Sequence, residues 1–107
     1  MQKHIATKGR DYMRFKDQAH RNFFTTMIKR TDASSVYHCA FFYTTGLNRD
    51  TRNHIQDIFD FDDNCIKPDG LNETWQTSGS RRVTLMAYNL WNGYVEQGEE
   101  QESTPDN

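Results

Sequence analysis

The sequence predicts a mostly α-helical protein: a small single-core bundle of about four helices, with a long irregular segment before the last helix. Three observations favour this class. The chain has 107 residues, which is the length of one domain. Apolar side chains recur every three or four residues in two long segments, as they do on one face of a helix. Pro68, Gly70 and Gly79 interrupt regular structure between residues 61 and 80.

Composition narrows the class of protein further. Only 35% of residues are hydrophobic but 13% are aromatic, which is too many for a wholly disordered chain. No apolar run approaches the roughly 18 residues that a membrane-spanning helix needs. The first ten residues also lack the apolar centre of a signal peptide. We therefore expect a cytoplasmic protein in which Cys39 and Cys65 remain reduced.

The first predicted helix covers residues 11–30 and follows a flexible arm, residues 1–9. An apolar stripe at helical spacing is formed by Tyr12, Phe15, Ala19, Phe23 and Met27. Asp11 suits the first turn, and Lys29 and Arg30 suit the last one, because each complements the helix dipole.

The second predicted helix, residues 33–45, is apolar on most sides and is expected to be the central one. Thr31 or Asp32 is its expected cap, and Gly46 its expected left-handed stop. Its aromatic and β-branched content also permits a strand, so for residues 33–45 both a helix and a strand remain possible predictions.

The third predicted helix is short, covers Thr51–Phe59 and is capped by Asp50. In the irregular residues 61–80, large apolar side chains are expected to hold the chain onto the helices. These side chains are Phe61, Ile66, Leu71 and Trp75.

The last predicted helix covers Arg81–Gly93, with Ser78 or Ser80 as its cap and Gly93 as its stop. Its buried face is expected to comprise Val83, Met86, Ala87, Leu90, Trp91 and Tyr94. The helical domain then spans residues 10–95. The acidic residues 96–107 have no apolar anchor and are expected to be a disordered tail.

Charge is distributed unevenly although the net charge is only -2. Residues 1–30 contain eight Lys or Arg and two Asp, whereas residues 50–73 contain seven acidic and two basic residues. Such asymmetry raises the question of a charged partner. The alternative interpretation is that both regions are simply solvated or face one another.

No motif of an enzyme or a metal site is found in the sequence. The four histidines lack the spacing of zinc ligands, and a site built from His20, His38, Cys39 and His54 is disfavoured for that reason. The serines beside Gly79 lack the context of a catalytic nucleophile. The acidic residues near Asp62 do not match a calcium-binding loop. We therefore expect no enzymatic activity, no cofactor and no metal.

Residues 58–94 carry a distinctive pattern: an IxDF-like segment, an IKP turn, a WQTSGS loop and a helix that ends in NLWNGY. The residues of this pattern are Ile58, Asp60, Phe61, Ile66, Lys67, Pro68, Trp75, Gln76, Thr77, Ser78, Gly79, Ser80, Leu85, Ala87, Asn89, Leu90, Asn92, Gly93 and Tyr94. The pattern covers about a third of the chain. It resembles a family of small uncharacterised bacterial proteins, many of them encoded by prophages and mobile elements. The resemblance implies such an origin and supplies no catalytic residue.

Two interpretations of the WQTSGS loop remain open. In the first, Asn89 and Asn92 of the last helix hydrogen-bond the loop backbone and hold its shape. In the second, the loop and the arginines that follow it form a recognition surface, because Trp and Arg are enriched at binding hot spots.

Our first functional hypothesis is a non-enzymatic protein-binding module. In its specific form it is a phage or mobile-element inhibitor, similar to an anti-CRISPR protein, that docks on a host defence protein such as a CRISPR nuclease. An acidic patch at residues 57–63 would occupy the basic groove that binds nucleic acid. The candidate partner-binding residues are Asp57, Asp60, Asp62, Asp63, Trp75, Gln76, Thr77, Arg81 and Arg82.

The alternative hypothesis is a nucleic-acid-binding regulator that uses the basic first helix. Its cations would contact phosphates without reading sequence. The candidate residues are Lys8, Arg10, Arg14, Lys16 and Arg21. The sequence predicts no oligomeric state.

Overall fold

The computed structural model describes residues 14–32 and 35–103, the last ten of these through their backbone alone. Five α-helices lie in this part of the chain: α1 Gln18–Thr31, α2 Val36–Thr45, α3 Arg49–Asn53, α4 Ile55–Ile58 and α5 Ser78–Ser103. An antiparallel hairpin of β1 Phe59–Asp60 and β2 Cys65–Ile66 follows α4, and a 3₁₀ helix, Pro68–Asn72, follows the hairpin. The predicted mostly α-helical class is confirmed. The expected arm, residues 1–9, lies outside the described residues.

Helix α1 begins at Gln18, because the Asp17 carboxylate accepts a hydrogen bond from the His20 N–H and caps the helix. The predicted start at residue 11 is therefore wrong for the described residues 14–17. Met27 is buried as predicted, but Ala19 is exposed, and the fully buried neighbour is His20. The His20 ring is bonded on both sides, to Lys16 N at 2.9 Å and to Tyr43 O at 2.7 Å.

Helix α2 resolves the choice between helix and strand in favour of a helix. Its cap is Ser35, whose hydroxyl accepts from the backbone N–H groups of Tyr37 and His38, so the expected caps Thr31 and Asp32 are wrong. Phe41 and Phe42 are fully buried, and α2 packs mainly against α5 and α1. The helix is central, as predicted.

Gly46 ends α2 in a right-handed conformation, with φ of -76°, so the expected left-handed stop is wrong. The requirement for glycine here is space. A Cβ atom would lie 2.8 Å from His20 Cδ2 and 2.9 Å from Phe23 Cδ2. The absent side chain lets α1 approach the end of α2.

The third predicted helix is two short helices, α3 and α4, which meet at His54. Asn48, not Asp50, caps α3 by accepting from the N–H groups of Asp50 and Thr51. The chain becomes extended at Phe59, which begins β1 and pairs with Ile66.

The predicted irregular segment, residues 61–80, contains the turn and second strand of the hairpin and the 3₁₀ helix. Its four expected apolar anchors all pack partly buried against the core, which confirms their predicted role: Phe61, Ile66, Leu71 and Trp75. The centre of the core is aromatic. The Phe59 ring centroid lies 5.3 Å from that of Phe41 and 5.5 Å from that of Trp91.

Helix α5 does not end at Gly93 but continues to Ser103. The backbone of residues 96–103, expected to be without structure, therefore belongs to this helix, and residues 104–107 lie outside the described residues. Its buried face also differs from the predicted one. Among the side chains of α5 that the structure describes, the buried ones are those of Ser80, Thr84, Ala87, Tyr88 and Trp91, and the predicted core residue Tyr94 lies outside them. Met86 and Leu90, predicted to be core, are 51% and 39% exposed.

Within the described residues, no helix combines the length and the apolar character needed to cross a membrane.

Candidate functional site

The turn of the hairpin, residues 61–64, displays two neighbouring carboxylates. The Asp60 carboxylate at its base accepts hydrogen bonds from the backbone N–H groups of Asp62 at 2.9 Å and Asp63 at 3.0 Å. Asn64 adopts a left-handed conformation, with φ of 57°, and leads the chain into β2. Asp62 and Asp63 are both exposed. The sequence Asp-Phe-Asp-Asp-Asn thus builds a turn in which one aspartate holds the backbone and two others face solvent.

Side chains on either side of this turn fix it to the helices. The Phe61 ring stacks against the Phe42 ring, and the Arg30 guanidinium lies over the Phe61 ring at 3.7 Å from its centroid. Asn64 Oδ1 accepts from the His38 Nε2–H at 3.0 Å, which ties the far end of the turn to α2. Together with the Asp60 bonds, these contacts hold the turn at three points.

A polar cleft of about 230 Å³ lies beside the turn. Charges of both signs line it, with Arg30 and Lys67 facing Asp60 and Asp62. The Lys67 ammonium donates to Gln56 O at 3.1 Å, which positions that cation at the cleft. A mixture of charges beside a rigid turn suits contact with a charged surface more than enclosure of a small ligand.

Asp57, the first residue of the predicted acidic patch, lies apart from this turn and has an internal partner. Its Oδ2 atom accepts from Trp75 Nε1 at 3.0 Å and lies 3.8 Å from His54 Nδ1. The His54 and Trp75 rings stack, with centroids 4.4 Å apart and planes 10° apart. The structure thus unites Asp57 and Trp75 as a pair that fastens the irregular segment to the short helices.

The WQTSGS loop satisfies its own polar groups. Thr77 caps α5: its hydroxyl accepts from Ser80 N at 3.1 Å, and the Ser80 hydroxyl accepts from Thr77 N at 2.8 Å. This reciprocal arrangement is a capping box with serine in the position usual for glutamate. The expected caps, Ser78 and Ser80, are therefore wrong, although Ser80 completes the box.

Gln76 links the loop to the 3₁₀ helix and to α5. Its side-chain N–H group donates to Gly70 O at 3.0 Å and to Thr84 Oγ1 at 3.2 Å, and its oxygen accepts from the Ser80 hydroxyl at 2.7 Å. Buried hydroxyls of this kind need partners, so Gln76 has a structural role.

The predicted mechanism for the loop's shape is wrong although a structural role is found. Asn89 and Asn92 are exposed on α5 and lie away from the hydrogen bonds that hold the loop. Besides Ser80 and Thr84, which bond to Gln76, Tyr88 of α5 also reaches the irregular segment, because its hydroxyl donates to Lys67 O. No pattern in the sequence indicated this bond of Tyr88, because a tyrosine on a helix is equally typical of packing.

A profile of one protein family matches residues 10–107, which is nearly the whole chain. The chain belongs to DUF6075, a family of unknown function. The resemblance to a small uncharacterised family is therefore confirmed. No curated protein and no solved structure matches the DUF6075 chain.

Arg81 and Arg82, the last predicted partner-binding residues, are exposed on α5. On the same helix Leu85 and Leu90 are each 39% exposed and Met86 is 51% exposed. The apolar spacing predicted the wrong buried face because that face contains the polar side chains of Ser80 and Thr84.

The basic residues of the alternative hypothesis are placed only in part. Lys8 and Arg10 lie outside the described residues, whereas Arg14, Lys16 and Arg21 are exposed. The Lys16 ammonium donates to Leu47 O at 3.2 Å, and the Arg21 guanidinium lies 5.8 Å from the centre of the Phe15 ring. Both cations thus also contact their own chain.

Among the described residues, no three His, Cys, Asp or Glu side chains are grouped closely enough to hold a metal ion. Both cysteines are free thiols, and burial raises the pKa of Cys39. A thiol with a raised pKa is a poor nucleophile at neutral pH.

Proposed function

We propose that this DUF6075 protein is a non-enzymatic protein-binding module that recognises a basic surface through the turn at Asp62 and Asp63. In its specific form, it is a phage or mobile-element protein that acts in the host cytoplasm. There it docks on a defence nuclease, such as a CRISPR nuclease, and blocks the groove that binds nucleic acid.

The observation that carries the proposal is the fixed display of two exposed carboxylates. Asp62 and Asp63 extend from a turn that Asp60, Asn64 and Phe61 hold in place. A surface that is already ordered loses little conformational entropy on binding, so more of the contact energy remains as affinity. Neighbouring carboxylates also present the charge that a phosphate-binding groove attracts.

We assign fewer acids to this surface than the sequence analysis proposed. Asp57 and Asp60 accept hydrogen bonds from Trp75 and from the turn backbone, so their carboxylates are engaged within the chain. The proposed contact surface therefore consists of Asp62 and Asp63 with the adjacent cleft, where Arg30 and Lys67 would pair with acids at the rim of the partner's groove.

A plasmid-transformation assay in a host with an active defence nuclease tests the proposal. Expression of the wild-type chain is expected to restore transformation by a targeted plasmid. Asp62→Asn with Asp63→Asn should abolish the restoration, because the variant keeps the shape of the turn but loses both charges. The matched control is Asp69→Asn with Glu73→Gln, which removes two exposed charges from the neighbouring 3₁₀ helix region.

Two results would overturn the proposal. The first is no restoration by the wild-type chain in hosts carrying each major class of nucleic-acid-guided nuclease. The second is equal activity of the turn variant and the wild type. A gel shift by the wild-type chain that is lost when Lys8, Arg10, Arg14 and Lys16 become Ala would instead support the nucleic-acid alternative.

A further inference from the structure

His20 is enclosed by its neighbours although a histidine can gain a charge near neutral pH. In the part of the chain that the structure describes, it is the only fully buried histidine. The Phe15 ring meets the imidazole edge-on, with centroids 5.1 Å apart, and the Tyr43 ring centroid lies 4.5 Å away. On a further side, Gly46 leaves no space for even a Cβ atom beside Cδ2. Water therefore does not reach the imidazole in the folded chain.

The two hydrogen bonds of the ring define its tautomer. The backbone N–H of Lys16 can only donate, so Nδ1, which accepts from it at 2.9 Å, must hold a lone pair. The carbonyl oxygen of Tyr43 can only accept, so Nε2, at 2.7 Å from it, must carry the hydrogen. The fold thus requires a neutral His20 with its hydrogen on Nε2.

A second proton on the ring would conflict with only one of these bonds. Nδ1 would bind it, so two donors would face each other and the bond from Lys16 N would be lost. Nε2 would still donate to Tyr43 O. Protonation of His20 therefore opposes the attachment of residues 14–16, which precede the cap of α1, and leaves the bond between α1 and α2 in place.

The surroundings of the ring offer no free counter-ion for a positive charge. Asp17 already accepts from the His20 backbone N–H at 2.9 Å and caps α1. The cations of Lys16 and Arg52 donate to consecutive backbone carbonyls just after α2, on the side where Gly46 contacts the ring. The titratable and charged groups on the elements around the ring are Arg14, Lys16 and Asp17 before α1, Arg21 on α1, Tyr43 on α2 and Arg52 on α3.

We propose that His20 is an acid-sensitive switch whose protonation releases residues 14–16 from α2 while the rest of the fold persists. The neutral ring holds the segment through the bond from Lys16 N, and the protonated ring cannot. This switch lies in a different part of the molecule from the turn at Asp62 and Asp63 and does not depend on the function proposed for that turn.

Few other contacts hold the segment. The Phe15 ring packs against the Tyr43 ring, with centroids 5.8 Å apart. Two exposed hydrogen bonds complete the attachment, from the Tyr43 hydroxyl to Arg14 O and from the Lys16 ammonium to Leu47 O. Exposed hydrogen bonds contribute little to stability because water competes for both partners. Loss of the buried bond therefore favours release of this segment alone.

Hydrogen exchange of the backbone amides in the full chain, at about pH 7.5 and about pH 5.5, tests the inference. A solvated histidine is half protonated at about pH 6.5, so the released state should become about tenfold more populated between the two conditions. The protection factor of the Lys16 amide should fall by the same factor. The protection factor of the Phe41 amide, in the centre of α2, should stay constant.

His20→Gln separates the switch from other effects of acid. A glutamine side chain offers an acceptor to Lys16 N and a donor to Tyr43 O, but it gains no proton at these pH values. Protection of the Lys16 amide should then be equal at both values. The matched control is His54→Gln at a half-buried position, which should keep the tenfold fall.

Nitrogen NMR of the histidine rings in the wild-type chain tests the tautomer without any substitution that could disturb folding. At about pH 7.5 the hydrogen of His20 should be on Nε2, with Nδ1 unprotonated. The signals of His20 should show protonation only in the state whose Lys16 amide has lost protection.

Three results would overturn the inference. The first is a His20 ring with its hydrogen on Nδ1, or a protonated ring in a chain whose Lys16 amide stays protected. The second is an equal fall in Lys16 protection in His20→Gln and in the wild type, which would assign the effect to another group. The third is an equal fall at Phe41, because acid would then unfold the whole chain and release no separate segment.

Discussion

Two parts of the irregular segment use polar side chains in opposite ways. In the WQTSGS loop, Gln76, Thr77 and Ser80 bond to one another and to neighbouring backbone. In the hairpin turn, one aspartate holds the backbone and Asp62 and Asp63 remain exposed. The WQTSGS loop has the more distinctive sequence, yet its polar side chains stabilise the fold. The side chains of Asp62 and Asp63 in the acidic turn are instead exposed to solvent. A distinctive motif can therefore mark a structural requirement.

The largest expected effect on stability is at Gly70, the residue of the 3₁₀ helix to which the loop residue Gln76 donates a hydrogen bond. A Cβ atom there would lie 2.6 Å from Asp57 O and 2.7 Å from the Tyr88 hydroxyl oxygen. Gly70→Ala should lower the free energy of unfolding by about 3 kcal/mol, measured by urea denaturation. The matched control is Gly79→Ala, which meets only Thr77 Oγ1 at 3.9 Å and should stabilise by about 0.5 kcal/mol. Equal effects of the two substitutions would contradict the described packing.

Gln76→Ala is expected to have the next largest effect. It removes three hydrogen bonds and leaves the fully buried Thr84 and Ser80 with fewer partners. The expected loss is about 2 kcal/mol in the free energy of unfolding. Glu73→Ala, an exposed change in the same segment, should stay within about 0.5 kcal/mol of the wild type. If Gln76→Ala is as stable as Glu73→Ala, the loop is free to act as a recognition surface.

Tyr88 is expected to make the free energy of unfolding depend on pH in the alkaline range. Burial, and to a lesser degree the charge of Asp69, raises the pKa of its phenol. As pH rises, the unfolded chain therefore loses this proton before the folded chain does. The contribution of Tyr88 to the free energy of unfolding should be fully present below about pH 10 and should fall as pH rises above it. Urea midpoints between pH 8 and pH 11 measure the fall. Tyr88→Phe should flatten it, and an unchanged slope in that variant would exclude Tyr88 as its cause.

Thr77→Ala is expected to have the smallest of these effects. It removes the hydroxyl that caps α5 but leaves the helix packing intact, so the expected cost is about 1 kcal/mol in the free energy of unfolding. Thr74→Ala, at an exposed position outside the capping box, is the control and should change little. A cost for Thr77→Ala no greater than for Thr74→Ala would show that the box does not stabilise the helix start.

Much of the fold was predictable because the helices carry local signals. The apolar spacing around Met27, the continuous apolar run of α2 and the anchors at Phe61 and Trp75 each lead to the observed packing. The start of α1 was missed because Asp11 and Asp17 are both good caps, and the choice depends on the position of His20. The buried face of α5 was predicted wrongly because it contains the polar residues Ser80 and Thr84. Hydrogen bonds between these hydroxyls and Gln76 compensate for their burial.

The candidate site was predictable only in part, because its geometry depends on contacts between distant residues. Asp57 and Trp75 are 18 positions apart, and the hydrogen bond between them gives both side chains a partner within the chain that the sequence did not predict. The exposure of Asp62 and Asp63 follows from a local turn and could be predicted from the sequence. The contacts of that turn with Arg30 and His38 could not be predicted, since both residues lie on helices distant in sequence.

We propose that the hairpin turn binds a protein while the loop beside it maintains the fold. Quantitative pull-down from a nuclease-treated lysate of the native host tests it most directly, with the intact wild-type chain, the Asp62→Asn/Asp63→Asn variant and the Asp69→Asn/Glu73→Gln control. We predict a stoichiometric protein that the wild type and the control capture and that the turn variant loses. Equal capture of that protein by all three chains would contradict the claim.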